Sequence, residues 1–345
     1  MADSRVPQSE IALKKEDFIS DQMVKWCPGC GSHFVLSSVA GVFARLGYRK
    51  ENVMVVSGIG CSSRFPYYVN TYGFHSIHGR PAAIATGMKV ARPDLSLWVV
   101  SGDGDSLAIG GNHFIHLVRR NVDLNLMVFN NEIYGLTKGQ FSPTSPKGVT
   151  TKTSPMGTIE RPFNIGSVVI GANGLFYARV PDNNITLIQE TLYQAEQHRG
   201  ASIVELMVNC VIFNDKAFGL VTAKDTRDDH QIILKAGEPM IFGTDKNKGI
   251  RLNHGKLEAV KIGENGVTLN DILVHDPTSA DPSIHNMLAQ MAAPELPMAL
   301  GIIRAVPGIP SYDSLLDAQI ADARTSSSIK CVADLLSSGD VFEVK

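Results

Sequence analysis

The sequence lacks an excess of either charge, a long apolar run and a surplus of cysteine, and each lack excludes something. Its 32 basic and 34 acidic residues leave a formal net charge of −2. A near-neutral chain without basic runs offers no footprint for nucleic acid or for an anionic membrane surface. No apolar stretch approaches the roughly 20 residues that a spanning helix needs. The opening MADSRVPQSEIALKKED is polar and mixed in charge, without the apolar core of a secretory signal. The expected compartment is the cytoplasm, where thiols stay reduced. Only five cysteines occur in 345 residues. In that setting they read as metal ligands, reactive thiols or buried filler rather than disulfides. There is no internal repeat and no low-complexity tract. What is present is 44 % hydrophobic residues, enough for one large domain with appendages or for two domains.

Residues 1–25 read as an N-terminal arm. Residues 32–48 have helical apolar spacing, and 52–61 form a short β-branched run ending in glycines, which predicts a buried strand. A small-residue helix over 80–93 stops at Pro93. Further strands are predicted over 95–102, 124–131 and 201–210, with helices between them, including one over 185–200. Strands alternating with helices imply an α/β fold, a parallel sheet flanked by helices. Ligands in such sheets gather at the carboxyl ends of the strands. Cys61, Gly102–Asp103, Asn130–Asn131 and Cys210 all fall there. Residues 26–219 are taken as the main domain. Residues 220–345 are taken as a C-terminal extension, a lid or a subunit-interface arm, with hairpin-like turns and an amphipathic helical tail.

SGDGD (101–105) follows a strand and opens a helix, so its glycines and free N–H groups suit a phosphate. Its acids suit a phosphate only if a divalent cation stands between, and Mg²⁺ takes few side chains plus phosphate oxygens. Asn131 follows Asp103 by 28 residues, one crossover, so the two can meet on neighbouring strand ends. The run of strand, GDG, helix, strand and NN is similar to the thiamine diphosphate signature. GIGCSS (58–63) lacks the third glycine of a nicotinamide fingerprint. Thiamine enzymes also need a carboxylate against the aminopyrimidine ring, yet no Glu occurs between Asn52 and Asn131. The acid is therefore expected from another polypeptide.

WCPGCG (26–31) supplies Cys27 and Cys30, half of a four-thiolate site. A zinc ribbon would bring a second CxxC, and there is none. Cys61 and Cys210 end strands on the edge that carries Asp103. Four thiolates beside a thiamine site favour an iron–sulfur cluster over structural zinc. Cys331, in the helical tail, is expected to be a packed free thiol.

WCPGCG, GIGCSSR, YGFHSIHGR, SGDGD, NNEIYGLTKGQFSPTS and Cys210 together closely resemble the β subunits of 2-oxoacid:ferredoxin oxidoreductases, in particular the 2-oxoglutarate type. The resemblance covers about residues 26–219. It implies one [4Fe–4S] cluster on Cys27, Cys30, Cys61 and Cys210. It implies Mg²⁺ held by Asp103, Asn131 and the Ile133 carbonyl, and thiamine diphosphate resting on Gly102, Gly104 and Asp105. Gly60, Cys61, Ser62, Ser63, His78, Gly135 and Leu136 would line the cofactor, with Arg64 and Lys138 toward the substrate. The implied reaction is reversible, coenzyme A-dependent oxidative decarboxylation of 2-oxoglutarate to succinyl-CoA, with electrons passing to ferredoxin. An α subunit, or an α and a γ subunit, would supply the pyrimidine-side glutamate. Pyruvate or another 2-oxoacid as substrate, a non-redox thiamine enzyme half with structural zinc, and a non-catalytic zinc-stabilised scaffold are the alternatives. His113 and His116, at i, i+3 spacing, read as core or interface histidines rather than metal ligands.

Overall fold

In the computed structural model, residues 6–340, 342 and 344 are described. Of the expected N-terminal arm, residues 1–5 lie outside them. The rest of the arm runs over helix α1 (Ser32–Leu46), bridging at Gln8 to Tyr48 and burying Phe18.

One eight-stranded sheet organises the chain. Its strands are β1 (Val53–Ser57), β2 (Tyr72–His75), β3 (Ser96–Gly102), β4 (Leu124–Asn130), β5 (Phe176–Pro181), β6 (Ala201–Met207), β7 (Gln231–Ile233) and β11 (Met298–Ala305), in the order β2-β1-β3-β4-β6-β5-β11-β7. The first six run parallel, and β11 joins β5 antiparallel. Between β7 and β11, strands β8 (Ile241–Phe242), β9 (Lys248–Asn253) and β10 (Lys256–Lys261) make a small antiparallel sheet. Residues 220–345 thus contribute two strands to the main sheet as well as a separate hairpin.

Successive strand residues point to opposite faces, and both faces are covered. Leu97, Val99, Leu126, Val128 and Ile203 pack beneath α2 (Pro81–Ala91), α3 (Gly111–Arg120) and α4 (Ile165–Gly171). Trp98, Val100, Met127, Val204 and Leu206 pack against α1 and α5 (Ile185–Gln197). Burial on both sides explains why β3, β4 and β6 read as continuous apolar runs. β2 is different. It lies at the sheet edge with all four residues exposed, and no apolar run announces it. Among the described residues, no helix is long and apolar enough to cross a membrane. Cys331 is exposed rather than packed, because the helical tail around it buries little.

Candidate active site

The carboxyl ends of β1, β3, β4 and β6 open onto a cavity of about 320 Å³. Its wall includes Cys27, Cys30, Cys61, Cys210, Arg64, His78, Asp103, Asn131 and Lys138. The sequence motifs therefore meet in one place, most of them delivered by strand ends and the CPGC turn by the segment before α1.

Asp103 leaves β3 and is almost fully buried. Its Oδ2 accepts from Ser142 Oγ at 2.5 Å and from Thr144 Oγ1 at 2.6 Å. Burial pushes its carboxyl up to about 6, although both hydroxyls favour the anion. Neutral donors alone do not fully replace water around a buried carboxylate, and a cation beside it would. Thr144 Oγ1 also stands 3.0 Å from Asn130 Oδ1, sharing its single proton between that oxygen and Asp103, and Asn130 Nδ2 donates to Glu205 Oε1 at 2.8 Å. Glu205 takes Arg179 Nε at 3.0 Å and the Tyr177 hydroxyl. Burial would raise the Glu205 carboxyl, but Arg179 and its donors hold it below the usual carboxylate range. A buried polar chain thus backs Asp103 from β5 and β6. Sequence reasoning missed it, although the FSPTS segment that supplies Ser142 and Thr144 lies in a quoted motif.

Asn131 follows β4. Its Oδ1 accepts from Ile133 N at 3.3 Å, and Asn214 Nδ2 donates to its carbonyl at 3.0 Å. Between them Glu132 is left-handed, with φ 55°. Burial, then Asp103 and Glu205, pushes its carboxyl up to about 8. A side chain at Gly104 would overlap the Tyr134 ring, so only glycine lets the backbone turn beneath that ring.

The Asp105 carboxylate is occupied by protein donors. Its Oδ1 accepts from Gly79 N at 2.7 Å and Ile59 N at 3.3 Å and meets His78 Nδ1, while Ser101 Oγ donates to Oδ2 at 2.6 Å. Its carboxylate is therefore spent on holding His78 and the two glycine loops, which leaves its backbone amide for a ligand. Gly58 is glycine for the same reason, since a Cβ there would overlap the Asp105 carboxylate.

The four cysteines surround one side of the cavity. Cys30 N donates to the Cys27 carbonyl at 3.0 Å, closing the CPGC turn. A Cβ at Gly135 would stand 3.5 Å from Cys210 Sγ and 3.7 Å from Cys61 Sγ, so these two sulfurs flank that glycine. Burial, then the Cys210, Cys30 and Cys27 thiols, push Cys61 up to about 11, and burial raises Cys30. The shift marks a group of thiols that feel one another and need positive charge to ionise. Among the described residues, no three His, Cys, Asp or Glu side chains stand close enough to grip a single metal ion. All four thiols nevertheless line the same cavity. Trp26 Nε1 donates to the Cys61 carbonyl at 2.6 Å, tying the CPGC turn to the Cys61 loop.

Lys138 is exposed and left-handed, with φ 76°, an uncommon state for a residue with a Cβ. Its N–H is fixed on the Gly135 carbonyl at 3.1 Å. Lys25, Arg64 and Lys138 bring cationic side chains to the cavity that Asp103 and Asp105 also line.

Comparison with known proteins fits this geometry. Residues 58–206 match the thiamine pyrophosphate enzyme, C-terminal TPP binding domain family. The chain is 44 % identical over 342 residues to the 2-oxoglutarate oxidoreductase subunit KorB of Mycobacterium tuberculosis, covering 98 % of this chain and 91 % of that one. It is 45 % identical over 196 residues to the 2-oxoglutarate synthase subunit KorB of Archaeoglobus fulgidus, covering 56 % of this chain and 73 % of that one. A solved structure, 2-oxoglutarate:ferredoxin oxidoreductase from Magnetococcus marinus with 2-oxoglutarate, coenzyme A and succinyl-CoA bound, superposes with a TM-score of 0.77 at 30 % identity, over 99 % of this chain and 100 % of that one.

Proposed function

The chain belongs to the family of 2-oxoglutarate oxidoreductase β subunits, and from that premise we propose that its cavity is the diphosphate and electron-transfer half of a 2-oxoglutarate:ferredoxin oxidoreductase. The reaction is oxidative decarboxylation of 2-oxoglutarate with transfer of the acyl group to coenzyme A. The observation that carries this reading is the convergence of Asp103 and Asn131 with four thiols on one cavity.

Asp103 and Asn131 side chains and the Ile133 carbonyl would hold Mg²⁺, and Gly102, Gly104 and the Asp105 amide would receive the diphosphate. The Gly60–Ser63 loop, Gly135 and Leu136 would border thiamine diphosphate. Cys27, Cys30, Cys61 and Cys210 would hold a [4Fe–4S] cluster. When bound, thiamine diphosphate supplies the carbon nucleophile and electron sink for decarboxylation, and the cluster supplies one-electron transfer toward ferredoxin.

This chain's residues do the rest. Ser142 and Thr144 hold Asp103 Oδ2 and so fix the carboxylate in place. Asp105 fixes the His78 ring through Nδ1, which leaves Nε2 to exchange a proton. Arg64 and Lys138 offer cations to the substrate carboxylates. A partner subunit brings the carboxylate for the aminopyrimidine and closes the cavity. The reduced thiols accord with a cytoplasmic site of action.

Anaerobic co-purification with the partner, followed by iron, sulfide and zinc assays, tests the metal assignment. The expected complex is brown, with roughly four iron atoms per chain. Stoichiometric zinc without iron would overturn the cluster.

A further inference from the structure

Behind Arg64 lies a buried hydroxyl that neither the metal site nor the cysteines explain. Tyr68 is 2 % exposed and closes the turn that begins after Cys61. Its hydroxyl accepts from Arg64 Nε at 3.1 Å and from the Lys25 backbone N–H at 2.9 Å. Its ring stands edge-on to Trp26, with centroids 4.8 Å apart. The phenol is thus clamped on both sides before it touches Arg64. Among the described residues, Nη1 and Nη2 of Arg64 have no hydrogen-bond partner.

A guanidinium held by Nε keeps one free edge, the two parallel N–H groups of Nη1 and Nη2. That edge matches a carboxylate in bidentate geometry. An unanchored arginine would lose considerable rotamer freedom on gripping a ligand, and an anchored one has lost it already. We propose that Tyr68 is a positioning residue for the substrate. Its hydroxyl takes Nε and so fixes the Nη1–Nη2 edge of Arg64 to receive a carboxylate of the dicarboxylate substrate. The inference rests on reading the cavity as a 2-oxoglutarate site.

Tyr68→Phe in the holo complex removes only the hydroxyl. The ring contact with Trp26 stays, and water can take the Lys25 N–H because Lys25 is exposed. KM for 2-oxoglutarate should rise about 10-fold or more, the lower end of what one hydrogen bond to a charged group contributes. The inhibition constant of glutarate should rise by the same factor, while kcat, iron content and thiamine diphosphate affinity hold. Arg64→Ala should raise KM further, and Tyr68→Phe added to it should then do nothing more. Arg64→Lys keeps the charge but loses Nε, and there too Tyr68→Phe should be silent. The proposal is overturned if Tyr68→Phe leaves KM and glutarate inhibition unchanged while Arg64→Ala raises both, or if the two substitutions add independently. If Arg64→Ala itself leaves KM unchanged, the failure lies with the substrate role of Arg64 on which the inference rests.

Discussion

Glu196 makes a prediction whose sign depends on pH. It lies near the end of α5 and reaches the amino ends of β3 and β4, at the end of the strands away from the cavity. Ser96 Oγ donates to its Oε1 at 2.8 Å and Asn125 Nδ2 to its Oε2. Asp123 stands close, paired with Lys89 at 3.2 Å. The residue is half-buried, but its carboxylate is enclosed, and burial pushes it from 4.5 up to about 7. The unfolded chain therefore releases that proton before the folded chain does. Between these two values the folded state binds the extra proton, so stability is present at lower pH and is lost as pH rises through 7. The difference corresponds to ~3 kcal/mol at most, since part of the side chain remains wet. Glu196→Gln removes the ionisation. Its carbonyl can still accept from Ser96. Its amide can donate to Asn125 Oδ1, a buried acceptor with no partner among the described residues, once that amide turns over. His198, pushed down to about 4 by burial, stays neutral in the folded chain, and its own effect on stability is shared by parent and variant. The variant should be more stable than the parent near pH 8, by about 1–3 kcal/mol, and no more stable near pH 5. Denaturant midpoints at the two pH values check it. Equal destabilisation at both would refute the buried-carboxylate argument.

Cys61→Ser and Cys210→Ser should each lose most of the iron per chain, while Cys331→Ser, at an exposed tail position, should keep it. Iron assay separates them. Asp103→Ala should abolish thiamine diphosphate retention, and Thr144→Val should weaken it by about 10-fold, because it removes one of two hydroxyls that orient the ligand oxygen. Calorimetry with Mg²⁺ measures both, and unchanged affinity in Asp103→Ala would refute the bridge. Asp105→Asn keeps a side-chain oxygen to accept from the Gly79 N–H but removes the charge beside His78. It should lower kcat about 10-fold with cofactor affinity intact, and an unaltered kcat in a folded variant would remove His78 from the mechanism.

Much of the sheet was legible in the sequence because β1, β3, β4 and β6 are buried on both faces and read as largely apolar runs, β6 even with Glu205 inside it. β5 was not, since Arg179 interrupts it. That charge is tolerated only because Glu205 on the neighbouring strand pairs with it, a partnership invisible in a local window. β11 is broken by Gly301, at φ 93°, and by a register shift between Ile302 and Arg304. β2 is an exposed edge strand with no apolar signature. In the cavity, Asp103, Asn131 and the cysteines could be found from spacing, because rare residue types recur at strand ends. Ser142 and Thr144 could not, since hydroxyl residues are common and only the fold brings residues 142 and 144 to 103. The turn of Asp105 toward His78 was equally hidden, because a sequence shows an acid beside a phosphate loop but not which way its side chain points.

The central claim is that this chain carries one half of a two-chain 2-oxoglutarate site, and turnover with and without the partner tests it most directly. Anaerobically prepared chain, loaded with iron, Mg²⁺ and thiamine diphosphate, should show no turnover of 2-oxoglutarate with coenzyme A. Adding the partner subunit should restore succinyl-CoA formation together with ferredoxin reduction. Robust turnover by the isolated chain, or a restored complex that leaves 2-oxoglutarate untouched, would contradict the account.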